Sequence, residues 1–185
     1  MTPDDLQLDR KMFLSGLPIT LHRIAKTRYA NLSGIGSAAF PGRWNLAGQE
    51  AIYTSTEIGT CVLERLAHTP KSLIPSNLST MQIRISGQWQ LTDVETSGSF
   101  LFDDRTAAAF YLCQTLRMAN ELFEDRFFSQ RKVFAAAIPS VIAPAWNVVL
   151  YPLVNGFTDH VTLESVRPFE FDPRLFPEDT PIELP

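Results

Sequence analysis

The stretch PGRWNLAGQEAIYTSTEIGTCVLERLAH, residues 41–68, strings a glycine-marked loop, a short β-run and an amphipathic helix end to end. AIYTS at 51–55 has the length and the β-branched and aromatic content of a single strand. Thr54-x-x-Glu57 has the form of a capping box and predicts a helix opening there. At roughly 100° per residue, Ile58, Val62, Leu63, Leu66 and Ala67 cover one half of that helix, and Glu57, Glu64, Arg65 and His68 the other. Upstream, residues 31–50 hold four of the nine glycines plus Pro41, so they read as a long loop. Phe40, Trp44 and Leu46 supply apolar surface that would order it.

Working outward, ITLHRIAK at 19–26 alternates as a strand: Ile19, Leu21 and Arg23 on one face, Thr20, His22 and Ile24 on the other. TMQIRIS at 80–86 and QWQLTDV at 88–94, separated by Gly87, predict a hairpin or bent strand pair. From Asp103 to about Phe128 the pattern turns helical, with Leu112, Leu116, Ala119 and Phe123 as the apolar stripe. FAAAIPSVIAP, NVVLYP and HVTLESVRPFEF add three apolar or alternating runs. The expected organisation is a polar N-terminal extension over 1–18, one domain over 19–176 with a helical insertion about 97–130, and a proline-rich tail over 177–185. The class is α+β, with compact mixed or antiparallel sheets and flanking helices.

Composition bounds the function. The chain has 185 residues, 45% of them apolar and 19% charged, which suits one water-soluble domain. Sixteen Lys and Arg against 20 Asp and Glu give a net charge of -4, so direct nucleic-acid binding is not expected. Cys61 and Cys113 stand far apart without a C-x-x-C, and the three histidines are scattered, so neither a metal site nor a disulfide framework is expected. The acidic start MTPDD and the absence of a long apolar run point to a cytoplasmic protein with no membrane segment. Gly34-Ile35-Gly36 lacks the third glycine and the strand and helix context of a dinucleotide-binding turn.

The order LHRIA (21–25), PGRWNLAG (41–48), AIYTS (51–55), VLERLAH (62–68), IPSVIAP (138–144), a nearby Asn147 and FEFDPRLF (169–176) resembles the RES domain, a family named for an Arg, a Glu and a Ser. The chain departs from the usual family pattern in having Pro41-Gly42 before Arg-Trp-Asn and Tyr151-Pro152 after the Ser motif. The resemblance implies an ADP-ribosyltransferase-like fold and the activity of a bacterial toxin that destroys NAD, with NAD as substrate and no cofactor. It also implies an antitoxin partner, usually of the Xre helix-turn-helix type, and leaves a homodimer within that complex open. A few relatives are thought to modify a protein instead. Residue by residue, it places the functional Arg on Arg43, the Tyr on Tyr53, the Glu on Glu64 and the Ser on Ser140, with Arg23 at a further basic position.

The residue types suit that chemistry. Cleaving the ribose–nicotinamide bond builds oxocarbenium character, and a carboxylate at Glu64 would stabilise that charge or hold the ribose hydroxyls. The pyrophosphate needs fixed cations, and arginine forks at Arg23 and Arg43 donate paired hydrogen bonds. Tyr53 would stack on nicotinamide, and Ser140 would bond a substrate amide, a phosphate or the attacking group. Without the motif, Glu64 and Arg43 read as solvated surface charges, Tyr53 as a core residue and Ser140 as a turn residue.

Overall fold

The computed structural model describes residues 18–45, 47–70, 75–86, 92–93, 135–154 and 156–176. The expected helix from Asp103 to Phe128, the N-terminal extension before Pro18, the tail over 177–185, and Leu46, Cys113 and Phe134 lie outside these residues. In chain order the elements are β1 (Ile19–Lys26), a 3-10 turn (Thr27–Tyr29), α1 (Ile35–Ala39), β2 (Ile52–Ser55), α2 (Ile58–Ala67), β3 (Leu78–Ile85) and β4 (Thr92–Asp93). They continue as β5 (Ala135–Pro139), β6 (Trp146–Leu150), α3 (Phe157–His160), β7 (Val161–Phe169) and a 3-10 turn (Pro173–Leu175). The strands form one seven-stranded sheet in the order β4-β5-β6-β2-β1-β3-β7. Every pairing is antiparallel except β4 with β5. This is the α+β class expected from the sequence.

Antiparallel partners share a face, and the period-2 alternation of the strands sorts the residues. Ile19↔Ile85, Leu21↔Ile83, Ile52↔Leu150 and Thr54↔Val148 are register pairs. Their apolar members join Met81, Trp146, Phe157 and Val161 in the main core. Each fully buried aliphatic side chain there contributes about 1.5–3 kcal/mol. The intervening pairs Tyr53↔Val149 and Ser55↔Asn147 face the other way, toward α2 and the 31–50 loop. β1 pairs with β3 along its whole length but joins β2 at one residue pair, His22↔Ser55. The sheet is therefore almost divided into β4-β5-β6-β2 and β1-β3-β7, and a cleft opens on the Tyr53 face at that seam.

Two expectations are corrected. The hairpin predicted from TMQIRIS and QWQLTDV does not form: β3 lies between β1 and β7, while β4 pairs with β5 at the opposite edge of the sheet. Alternation identified β3 correctly, but alternation carries no information about which strand is the neighbour. Nor do Phe40 and Trp44 jointly anchor the long loop. Phe40 is 85% exposed, and only Trp44 packs on a core cluster, that of Ala51, Val149 and Tyr151.

Besides Trp44 and Leu32, which pack on the core clusters, polar contacts order the loop. Ser37 Oγ accepts from Ala51 N at 2.8 Å and donates to a carbonyl, with Ala51 O at 2.6 Å and Gly34 O at 2.8 Å. Glu50 Oε2 accepts from Gly34 N at 2.8 Å. Gly34 lies so close to β2 that a Cβ there would come within 2.5 Å of Ala51 N. The Gly34-Ile35-Gly36 turn opens the five-residue α1 beside an antiparallel sheet, not the βαβ unit of a dinucleotide fold.

Candidate active site

Glu64 reaches the cleft because α2 is turned relative to its apolar pattern. The helix begins at Ile58 with Glu57 as its N-cap and no side-chain capping bond, so the predicted Thr54–Glu57 capping box is not made. Thr54 belongs to β2 and donates to Val148 O at 2.6 Å. Ser55 Oγ donates to Trp146 O at 2.9 Å and accepts from Glu57 N at 3.4 Å. The face set against the sheet carries Thr60 and Cys61, while Ile58 and Leu63, expected on the buried half, are 38% and 43% exposed. Residues three and four apart share a helix face, so Glu64 follows Cys61 and Thr60 inward.

One oxygen of that carboxylate is held. Glu64 Oε1 accepts from Asn147 Nδ2 at 2.7 Å and from Ser140 Oγ at 3.1 Å. Ser140 Oγ in turn accepts from Ile142 N at 3.2 Å and Ala143 N at 3.3 Å, which fixes where its hydroxyl proton points. Glu64 Oε2 accepts nothing from a described residue. Ser140 is 1% exposed. The structure puts it behind the carboxylate, and it is not among the residues that line the cleft.

Tyr53 has a comparable part in the Arg43 loop. Its hydroxyl donates to Asn45 Oδ1 at 2.7 Å and accepts from Trp44 N at 3.0 Å. Asn45 is buried: its Oδ1 also accepts from Gly42 N at 2.9 Å, and its Nδ2 donates to Ser37 O and Gln49 O, each at 2.9 Å. A second phenol, Tyr151, donates to Trp44 O at 3.1 Å. Burial raises the Tyr53 phenol to about 12, against the opposing pull of the Trp44 N–H and the Arg43 charge. Tyr53 therefore stays a neutral phenol at physiological pH. Its ring lines the cleft, but its hydroxyl is engaged with the loop. Arg43 is exposed, lines the cleft and forms no ion pair with a described carboxylate.

Arg23 stands apart. It is in register with the buried Met81 and shares the β1 face of Ile19 and Leu21, as the alternation predicted. It is not among the residues that line the cleft. Its Nη1 is buried without a hydrogen-bond partner, and burial lowers the guanidinium to about 10, opposed by the charge of Cys61. Cys61 does line the cleft, and its Sγ donates to His22 O at 3.1 Å. Burial pushes this thiol up to about 12.

The cleft has a volume of about 690 Å³, and its wall includes Arg43, Tyr53, Glu64, Asn147, Phe40 and Arg65. A free cation on one side and a braced carboxylate on the other suit a ligand with an anionic group next to a centre that becomes positive. Among the described residues there is no group of three His, Cys, Asp or Glu that could hold a metal ion, and no helix long and apolar enough to cross a membrane. Arg43, Tyr53, Glu64 and Ser140 are thus brought together, directly or through one bond. Asn147 and Asn45 complete the site and were not singled out by the sequence reading as functional. Asn147 stood beside the Ser motif, and Asn45 inside Arg-Trp-Asn, but nothing local shows that either amide reaches its partner.

Comparisons with known proteins identify the family. The family model of the RES domain matches residues 20–172. The chain is 21% identical over 146 residues to the Prs ADP-ribosylating toxin of Sphingobium sp. (strain YBL2), covering 78% of this chain and 86% of that protein. The fold is similar to the crystal structure of the M. tuberculosis MbcT–MbcA toxin–antitoxin complex, with a TM-score of 0.54 at 18% identity over 87% of this chain and 88% of the matched one. With Arg43, Tyr53 and Glu64 on one cleft and the family model spanning the sheet from β1 past β7, this chain belongs to the RES domain family.

Proposed function

We propose that this chain is a toxin that cleaves NAD at the bond between ribose and nicotinamide. The observation that carries the reading is the Glu64 carboxylate, fixed through Oε1 by Asn147 and Ser140, in the same cleft as Arg43, which pairs with no described carboxylate. Arg43 holds the pyrophosphate through its planar fork. As the C1′–N bond breaks, nicotinamide leaves as a neutral molecule with the bonding pair, and Glu64 stabilises the positive charge that builds on the ribose. An acceptor oxygen then bonds to C1′ and gives up its proton to solvent. Water or inorganic phosphate serves as the acceptor, so the products are small. No metal takes part.

Purified protein incubated with NAD should release nicotinamide, and Glu64→Gln, which keeps the volume and deletes the charge, should lose most of that rate. A wild-type rate in the folded variant would remove the carboxylate from the chemistry.

A second reading, with a protein as acceptor, is favoured by the relative described as an ADP-ribosylating toxin. Labelled NAD separates the two: small products for the first, a labelled protein band for the second. In either case the partner is a cognate antitoxin, supported by the toxin–antitoxin complex of the structural neighbour. We assign it to the Xre helix-turn-helix type, with operator binding left to that partner, and place the pair in the cytoplasm, with a toxin homodimer as one arrangement of the complex. A toxin delivered into neighbouring cells would instead be harmless where it is made. A non-catalytic nucleotide-binding module would bind NAD and leave it intact.

A further inference from the structure

Beside the Glu64 cleft lies a second cavity of about 590 Å³ at the C-terminal end of α2. Its basic side chains are Lys26, Arg28, Arg65 and His68, it includes Thr27 and Thr69, and among the described residues no carboxylate lines it. Arg65 and His68 also line the first cleft, so the two cavities share a wall. On a chain of net charge -4, a concave surface with only cations is a departure that asks for a ligand of opposite sign.

A helix C-terminus ordinarily repels anions through its free carbonyls. Here three of those carbonyls are taken: Glu64 O accepts from His68 N at 3.3 Å, Leu66 O from Thr69 N at 3.1 Å, and Arg65 O from Thr69 Oγ1 at 2.7 Å. The Arg65 Nε is buried with no hydrogen-bond partner. The Arg28 guanidinium carbon lies 4.8 Å from the centre of the Tyr29 ring, a cation–π contact that holds the side chain near the turn. Thr27 Oγ1, tied to Asn77 O at 3.1 Å and Ser79 Oγ at 3.0 Å, fixes the turn that carries Lys26 and Arg28.

We propose that this second cavity is a phosphate subsite, in which Lys26, Arg28 and Arg65 hold a phosphate group next to the cleft where NAD is cleaved. The subsite rests on the proposed function for its purpose, since its cavity shares the Arg65 and His68 wall with the Glu64 cleft. The phosphate is either free in solution or carried on a larger acceptor molecule. The chemistry that recognises it is the same: two or more arginine and lysine donors on tetrahedral oxygens.

The test is calorimetric titration of the full chain with inorganic phosphate at constant ionic strength. The comparison is among the wild type, the double variant Lys26→Gln/Arg28→Gln and the cleft variant Arg43→Gln. Lys26 and Arg28 are exposed, and coincident thermal melts check that the double variant folds. Saturable binding that weakens at least tenfold in the double variant and persists in Arg43→Gln is the expected result. No saturable binding, or binding lost with Arg43 and kept without Lys26 and Arg28, would overturn the subsite.

Phosphorus NMR of the NAD reaction then separates the two sources. Phosphate that appears as a ribose ester is the free acceptor, whereas phosphate that inhibits without incorporation occupies the place of a phosphate on a larger acceptor. If NAD is not cleaved at all, the functional reading fails while the calorimetry still decides the subsite.

Discussion

Among the described residues Glu64 has partners on one oxygen and none on the other, and the proposed chemistry rests on that asymmetry. Asn147→Ala removes the shorter of the two bonds to Oε1. A hydrogen bond to a charged group is worth about 1.5–3 kcal/mol, so kcat should fall roughly 10- to 100-fold with little change in KM. Steady-state kinetics on the folded variant checks this; an unchanged kcat with a lowered melting temperature would make Asn147 structural only. Tyr53→Phe acts elsewhere: Trp44 N loses its acceptor and Asn45 a donor. KM for NAD should rise severalfold as the Arg43 loop loosens, with kcat less affected, and stability should drop by about 1–2 kcal/mol in thermal melts. Arg43→Lys keeps the charge and loses the fork, which should weaken NAD use by about 1–3 kcal/mol in kcat/KM. At this scale the motif residues were legible because their order along the chain is distinctive. The bracing amides were not, because Asn147 meets Glu64 only after β6 has paired with β2, and sequence spacing does not encode that encounter.

Helix α2 shows how an element can be found and still be turned the wrong way. Its length and amphipathic pattern were readable, but Ile58 and Leu63 face outward so that Cys61 and Glu64 can face the sheet. Burial of the apolar half is given up for the placement of a carboxylate, a local inconsistency of the sort expected at functional sites. The long loop repeats the lesson, since its order comes in part from Ser37, Asn45 and Glu50 while Phe40 is left in solvent. Glycines provide the test at this scale. Gly34→Ala would drive a Cβ to 2.5 Å from the Ala51 backbone and should destabilise by about 1–3 kcal/mol. Gly59→Ala, on a helical position with nothing within 4 Å, should stabilise by about 0.4–1 kcal/mol. Chemical denaturation of both variants checks the pair; equal effects would mean that the 31–50 loop is not held against β2 as described.

Across the whole molecule, two groups of strands meet at one residue pair, His22↔Ser55, and the site lies on that seam. β1 and β2 each contribute to the wall, so the cleft exists only once residues distant in sequence have been joined. The strand runs were legible from alternation, but the order β4-β5-β6-β2-β1-β3-β7 was not, because each strand's apolar face fits any neighbour of matching pattern. The proposed function rests on few groups of this assembly: a cation from the loop, a carboxylate from α2 and the two side chains that hold it. The most direct measurement is therefore nicotinamide release from NAD by the purified chain, free of any antitoxin, next to the folded Glu64→Gln variant. Turnover by the wild type, with a loss of at least 100-fold in the variant, is the predicted result. Folded wild-type protein that leaves NAD intact with and without phosphate, or a variant that turns over at the wild-type rate, would contradict the account.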